Sequence, residues 1–191
     1  EPVIEGDRFI IRRTKNGDTG MLQHQVLLPE AGNAQIEKVG GKGKEFWVFG
    51  TNYPNDALPN RPDDANERGA WRVEVSPAVP AAENYILNVM QVADNTCKRM
   101  NDVKRIDAGK VVGVQIADRI VTFSKNSLPL SGKIDKKVDG NTSMKFVITD
   151  LIPGTWQIKK DGKVYIPAME VRSNDGILSF EGTAGHYEFL R

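Results

Sequence analysis

The chain has 191 residues, of which 39% are hydrophobic, and a formal net charge of +1. This length suits one large all-β domain or two small ones and lets roughly 70% of the unfolded surface be buried. The near-neutral charge argues against nucleic-acid binding driven by bulk charge, and no apolar run has the roughly 20 residues of a membrane-spanning helix. With one cysteine and two histidines, we expect no disulfide, no metal and no cofactor.

Alternating apolar residues predict strands throughout the first half of the chain. The segment 46–49 is apolar on both faces, which is typical of a strand buried between two layers. Prolines and acidic residues across 53–68 predict a long loop, and a short helix is the alternative to a strand at 85–92. The predicted strands are 8–13, 21–28, 35–39, 46–49, 71–75 and 85–92.

Hairpin signals repeat after the polar segment 94–107. Asp161-Gly162 is the pair expected of a two-residue type I′ turn, and Asp139-Gly140 and Asn174–Gly176 predict two further hairpins. The predicted strands in this half are 111–117, 119–124, 136–138, 144–149, 156–160, 163–166, 169–172, 177–180 and 187–190.

Strands at this spacing, without convincing helical patterns, predict an all-β fold: an antiparallel β-sandwich made of two packed β units. A boundary within 94–107 divides the chain into residues 1–100 and 101–191. No signal peptide is visible at Glu1, so we expect a processed chain or an excised fragment.

One set of strand and turn motifs stands out: Leu27–Glu30, Phe46–Val48, Asn52–Pro54 and Gly69–Pro77, with weaker support from Val112–Ile116, Val121–Ser124 and Pro153–Trp156. Together these motifs resemble the C-terminal β region of heparinase II/III-like polysaccharide lyases. The resemblance covers most of the chain and is densest from 27 to 92. It implies that residues 1–100 correspond to the end of the family's central sandwich, and 101–191 to its small C-terminal β domain.

That family joins an N-terminal α-helical toroid to these β domains, and its members cleave acidic polysaccharides by β-elimination. The resemblance implies that the catalytic groups come mostly from the toroid and from earlier strands. No catalytic or metal-binding residue of the family maps onto this chain, so we expect no enzyme activity from the chain alone. The expected role is a non-catalytic region that supports the catalytic scaffold and could line the substrate cleft of a periplasmic or secreted lyase.

The expected partners follow from the same resemblance. They are the missing toroid of the parent protein, an acidic polysaccharide and, through an exposed apolar face, a second copy of the chain. We expect neither a nucleic acid nor a membrane span.

The candidate ligand-binding residues lie at the long loop. Tyr53, between Asn52 and Pro54, is the aromatic residue expected to be most exposed. Arg61 and Arg68 follow within the loop, and arginine binds carboxylate or sulfate groups through two parallel hydrogen bonds. We therefore select Asn52, Tyr53, Arg61 and Arg68 for glycan contact.

The two histidines are the only candidates for imidazole acid–base chemistry. His24 shares a strand face with Leu22, Val26 and Leu28, which favours a packed core or interface histidine. His186 lies on the last strand, and a solvated side chain is favoured there. Core packing is the prediction for Trp47, Trp71 and Trp156.

Two alternative functions stay open. Lysine clusters and the sandwich pattern also fit an autonomous carbohydrate-binding module. A structural or interaction β domain unrelated to sugars is the third reading, and a broad exposed apolar patch would favour the lyase scaffold over it.

Overall fold

The computed structural model describes residues 1–53, 70–125, 128–140 and 142–191. These residues form strands and turns without any α-helix, so the predicted all-β class is confirmed. Across the described ranges, no helix exists that could cross a membrane. The chain divides into two compact units, Glu1–Met100 and Asn101–Arg191. The packing of two units, and the assignment of the first to the end of a lyase central domain, stay predictions.

The first unit contains eight strands. They are β1 (Val3–Glu5), β2 (Arg8–Lys15), β3 (Asp18–Leu28), β4 (Ala34–Gly40), β5 (Trp47–Val48), β6 (Thr51–Asn52), β7 (Trp71–Pro77) and β8 (Leu87–Asp94). Its main sheet is antiparallel, in the order β1-β2-β3-β8, while β4 pairs with β7 and β5 with β6. The segment 85–92 therefore contributes a strand, and the helical alternative is wrong.

One side of the main sheet, which we call the apolar face, carries mostly hydrophobic side chains because successive residues of a strand alternate between faces. Its hydrophobic members in β2, β3 and β8 are Phe9, Ile11, Leu22, Val26, Met90 and Val92, and the polar residues His24 and Asn88 lie on the same side. Phe9 and Val26 are buried, whereas Met90 and Val92 are 63% and 81% exposed. The apolar face is thus covered at its centre and open to solvent along β8.

The pairing of β4 with β7 explains two adjacent glycines. Gly40 lies opposite Trp71 in the ladder, and the next residue, Gly41, has a φ of +83°. A Cβ atom on Gly41 would lie 2.8 Å from the Trp71 ring. Glycine is therefore required where the indole packs onto the turn.

The second unit contains nine strands. They are β9 (Val103–Ala108), β10 (Val111–Ile116), β11 (Arg119–Ser124), β12 (Ile134–Val138), β13 (Met144–Ile148), β14 (Gly154–Lys160), β15 (Lys163–Val171), β16 (Leu178–Gly182) and β17 (Gly185–Leu190). They form a five-stranded sheet, β16-β13-β11-β10-β9, and a four-stranded sheet, β12-β17-β14-β15. All ladders are antiparallel except β11 with β13, because the chain passes through the other sheet between these two strands.

Side chains from both sheets meet in one hydrophobic core, so this unit is a two-layer sandwich. Trp156, Ile158 and Tyr187 are fully buried. The Trp156 indole donates a hydrogen bond to the Ile152 carbonyl at 3.1 Å, and the Tyr187 hydroxyl donates to the Thr183 carbonyl at 2.6 Å. The remaining core residues are Ile106, Val111, Ile120, Leu130, Ile134, Val138, Met144, Phe146, Ile148, Leu151, Val171, Leu178, Phe180 and Phe189.

The three glycine-containing hairpin signals have different outcomes. Asp161 and Gly162 have φ of +51° and +77° and join the paired strands β14 and β15, as the sequence predicts. The hairpins predicted at Asp139-Gly140 and Asn174–Gly176 are wrong. Each of these turns instead carries the chain from one sheet to the other, because a turn residue fixes local backbone direction but not the partner of the next strand.

Gly113 lies in β10 directly opposite Thr122 of β11. A Cβ atom there would lie 2.1 Å from the Val121 carbonyl oxygen and 2.8 Å from the Thr122 Cα. We expect Gly113→Ala to reduce the free energy of unfolding by about 1–3 kcal/mol, because the backbone of β11 must shift to make room for the added methyl group. Chemical denaturation followed by tryptophan fluorescence measures this change.

Gly20→Ala is the control, since a Cβ on Gly20 meets nothing within 4 Å. It should leave the denaturation midpoint nearly unchanged. Equal effects of the two substitutions would contradict the steric explanation.

Candidate functional site

The strands β5 and β6 form a short hairpin that we call the aromatic hairpin, residues 44–53. Trp47 pairs with Asn52 and Val48 with Thr51, and Phe49 and Gly50 form the turn with φ of +46° and +84°. The Phe49 side chain is completely exposed. The prediction of a buried strand at 46–49 is therefore wrong, because the chain reverses within this apolar run.

Two of the four predicted ligand-binding residues meet at the base of this hairpin. The Asn52 side-chain oxygen accepts a hydrogen bond from the Phe46 backbone N–H at 2.8 Å, and the Tyr53 N–H donates to the Phe46 carbonyl at 3.3 Å. Tyr53 is 59% exposed. Asn52 thus stabilises the hairpin and Tyr53 presents its ring to solvent, whereas Arg61 and Arg68 lie outside the described residues.

The aromatic hairpin also contains residues that the sequence reasoning did not select. Phe49 is the clearest of these, and the signal for it was the Phe49-Gly50 pair between two short apolar stretches. Trp47 is half-buried, and the Lys44 ammonium lies 5.1 Å from the centre of its ring, a distance at which cation–π attraction operates. Of the three tryptophans predicted to pack in a core, only Trp156 is fully buried; Trp47 and Trp71 are half-buried.

His24 is a packed histidine, as its strand pattern predicts. Its ring stacks on Phe9 with 4.1 Å between centroids, and the residue is only 7% exposed. Its Nε2 atom is buried and has no hydrogen-bond partner in the described part of the chain. Without a partner that orients it or takes up its proton, this imidazole lacks the surroundings of a general base.

His186 belongs to a surface cluster of charged side chains on the outer side of the four-stranded sheet. Its Nε2 hydrogen-bonds with Asp135, and the Lys133 ammonium contacts both Asp135, at 3.2 Å, and Glu188. The register places Asp135 opposite Glu188 in the β12–β17 ladder. The solvated environment predicted for His186 is correct, but its carboxylate partner lies 51 residues away and sequence spacing could not reveal it.

Hydrogen bonding and burial shift several pKa values in this unit. The hydrogen bond from His186, followed by that from Lys133, lowers the pKa of Asp135. Glu188 and Asp135 raise the pKa of Lys133. Burial raises the pKa of Tyr187 to about 12, so this phenol is protonated near neutral pH.

The cluster at His186 has some features of a general-base pair, because a carboxylate can orient an imidazole. Lys133 and Asp135 also line a cavity of about 400 Å³ with residues 108–111, but the lining does not include His186. In the described ranges, neither histidine is hydrogen-bonded to a tyrosine. Among all the described residues, no three His, Cys, Asp or Glu side chains are grouped so that they could hold a metal ion.

The fold of the second unit is that of a compact two-layer β-sandwich domain. Residues 105–191 match the family model of the heparinase II C-terminal domain. The predicted resemblance to the C-terminal region of heparinase II/III-like lyases is thereby confirmed for this part, and the match supports a lyase-associated C-terminal domain. No curated protein matches the chain.

The position of the match differs from the distribution of the sequence motifs. The motifs are densest between 27 and 92, whereas the match begins at residue 105 and covers less than half of the chain. The resemblance of the first unit to a lyase central sandwich therefore stays a prediction.

The lowered pKa of Asp135 gives a pH-dependent contribution to stability. Because the folded-state pKa lies below the unfolded value of about 3.9, the carboxylate stabilises the fold above that value and loses this effect as the pH falls through the folded-state pKa. We expect Asp135→Asn to reduce the free energy of unfolding at pH 7 by at most about 1 kcal/mol, since the pair is half-exposed. The difference from wild type should narrow below about pH 4.

Urea denaturation at several pH values measures this difference. Glu181→Gln is the matched control, because Glu181 is exposed and makes no ion pair with another described residue. If the difference in the free energy of unfolding between wild type and Asp135→Asn persists or widens in acid, the attribution of this stability to the ionised Asp135 carboxylate is contradicted.

Proposed function

We propose that this chain is a non-catalytic C-terminal β region of a polysaccharide lyase acting on acidic polysaccharides. Its role is to support the catalytic scaffold of the parent enzyme and to form part of the wall of its substrate cleft. The observation that carries this proposal is the match of residues 105–191 to the heparinase II C-terminal domain.

The packing of the second unit supports a scaffolding role. Its core is closed by large side chains such as Trp156, Phe146 and Tyr187, each at most 1% exposed. The indole N–H of Trp156 and the hydroxyl of Tyr187 each donate a hydrogen bond to a backbone carbonyl. A core of this kind stabilises one rigid arrangement, which is what a supporting domain requires.

The apolar face of the first unit supports assembly with a larger structure. Met90 and Val92 are exposed side chains on β8, next to His24 and Leu22 in the ladder. A sheet normally buries its hydrophobic face against a second layer. We propose that another part of the parent lyase supplies that cover.

The surroundings of the titratable groups support a role without chemistry. β-Elimination needs a base close to a sugar proton and a donor for the leaving oxygen. His24 is stacked and buried, His186 is paired with Asp135, and Tyr187 is held in the core. His24 and Tyr187 lack the open environment that proton transfer to a polymer requires, and the exposed His186, although Asp135 can orient it, does not line the neighbouring cavity.

This proposal predicts that the isolated chain folds but does not cleave. We expect a cooperative unfolding transition and no rise of unsaturated-uronate absorbance when the chain is incubated with heparin, heparan sulfate or alginate. Each polymer is run beside a lyase known to cleave it. Turnover by the chain would contradict the non-catalytic role. If the substitution His186→Ala abolished that turnover, the base would be assigned to the His186–Asp135 pair.

A second candidate function is an autonomous carbohydrate-binding module. The observation that favours it is the exposed aromatic hairpin, where Phe49 and Tyr53 present their rings to solvent and could stack on sugar rings. This function predicts retention on an acidic-glycan column at low salt, where charge attraction is least screened.

Tyr53→Ala should shorten the retention of a binding module, while Tyr165→Phe, which changes a tyrosine of the other unit, should not. Absence of retention at low salt would exclude autonomous binding and leave the scaffold role.

A further inference from the structure

The side of the main sheet opposite the apolar face is rich in glutamine. Gln23 of β3 lies directly across from Gln91 of β8, and Gln23 is only 3% exposed. After β8 the chain turns back: the Asp94 carboxylate accepts a hydrogen bond from the Thr96 N–H at 2.8 Å. The Gln91 amide nitrogen then lies 3.4 Å from the Cys97 sulfur, so the returning segment rests on the glutamine side of the sheet.

A cavity of about 160 Å³ lies between this returning segment and the strands β1, β2 and β3. Its lining combines a buried base with an exposed rim. Gln23 and Met100 are buried, whereas Lys98 and Arg99 are exposed. Phe9 and His24 also line the cavity, although strand alternation directs their side chains to the opposite side of the sheet from Gln23.

The charges around the cavity are predominantly positive. Three cationic side chains, those of Arg8, Lys98 and Arg99, line it together with one carboxylate, Glu5. Neither Glu5 nor Lys98 makes an ion pair with another described residue, and the Arg8 guanidinium is 4.0 Å from Asp7. The cavity therefore presents cationic charge that Glu5 does not neutralise by direct contact, and a concave surface concentrates such a field.

At the base of the cavity, the side-chain amide of Gln23 is a hydrogen-bond donor that has only weak acceptors. The Gln23 amide nitrogen lies 3.5 Å from the Cys97 carbonyl oxygen, at the long limit of a hydrogen bond. Its other contacts are sulfur atoms, at 3.5 Å in Met21 and 3.7 Å in Cys97, and sulfur accepts weakly. A buried amide with such partners gains from an oxygen acceptor in the cavity that it lines.

We propose that this cavity binds one anionic monosaccharide unit through its carboxylate or sulfate group. The assignment rests on the proposed function, because an acidic polysaccharide would supply such a unit. Arginine and lysine recognise both oxyanions, and the apolar side chains of Val3 and Ile10 provide a surface for the C–H groups of a sugar ring. The volume equals that of about five waters at roughly 30 Å³ each, which suits a terminal group rather than a polymer segment.

A titration of the full chain with glucuronate, followed by two-dimensional amide NMR, tests this inference. We expect a dissociation constant on the order of 1 mM, with the largest shifts at Ile10, Gln23 and Met100. Binding should weaken as salt is added. Glucose and inorganic sulfate are titrated in parallel, because they separate the sugar ring from the anion.

Two matched variants locate the binding. Lys98→Gln, at the rim, should raise the glucuronate dissociation constant by about fivefold, while Lys15→Gln removes the same charge at an exposed position outside the lining and should have no effect. Gln23→Leu tests the base of the cavity, and its NMR spectrum and thermal midpoint establish that the variant folds. Arg8→Gln combined with Lys98→Gln should abolish measurable binding.

Several results would overturn the inference. They are shifts that map to the aromatic hairpin instead of the cavity, equal effects of Lys98→Gln and Lys15→Gln, and binding of glucose or free sulfate as tight as that of glucuronate. Failure here leaves the lyase-scaffold role intact, because that role does not require affinity for a single sugar. Conversely, polymer cleavage by the chain would overturn the proposed function without changing this titration.

Discussion

The structure of the second unit depends on burying one layer of aromatic side chains between two sheets. Phe146 stacks on Phe180 with 4.6 Å between ring centres and lies 4.7 Å from Tyr187. Each such ring removes on the order of 150–250 Å² of surface from water. Since Tyr187 and Phe189 of β17 point into this layer, His186 and Glu188 must point outward, and the charged cluster with Asp135 is a direct consequence of the core.

The first unit lacks a comparable core among its described residues. Its main sheet buries Phe9 and Val26 but leaves Met90 and Val92 in solvent. Single exposed hydrophobic residues are ordinary on a protein surface, but these two continue a face that is buried one strand away. The second unit is thus a closed domain, whereas the main sheet of the first unit has a hydrophobic face that is open to solvent along β8.

The sequence allowed the elements to be predicted better than their partners. Period-two alternation located β7, where Trp71, Val73 and Val75 alternate with Arg72 and Glu74, because burial of one face selects apolar residues at every second position. The same pattern could not show that β12 pairs with β17, since partner choice is decided by packing in three dimensions. The strand β9 was missed because only Ile106 and Ala108 in its charged sequence mark the inward face.

In the candidate site, too, local features could be predicted from the sequence, whereas contacts between distant residues could not. The exposure of Tyr53 was foreseen from its neighbours in the chain, whereas Asn52 proved to serve the hairpin backbone. Phe49 was placed in a buried strand because apolar composition outweighed the turn signal of Gly50. The cavity beside Gln23 could not be predicted at all, because Arg8 and Lys98 are 90 positions apart and meet only when the returning segment folds back.

The interleaved order of strands in the sandwich also bears on its synthesis. β12 belongs to one sheet while its neighbours in the chain, β11 and β13, belong to the other, and β16 and β17 again contribute one strand to each. Contacts of such long sequence separation form late. On a ribosome the five-stranded sheet cannot be completed before Gly182 has emerged, nor the four-stranded sheet before Leu190. A nascent chain that stalls at Leu178 would therefore expose unpaired edges in both layers and be open to proteolysis.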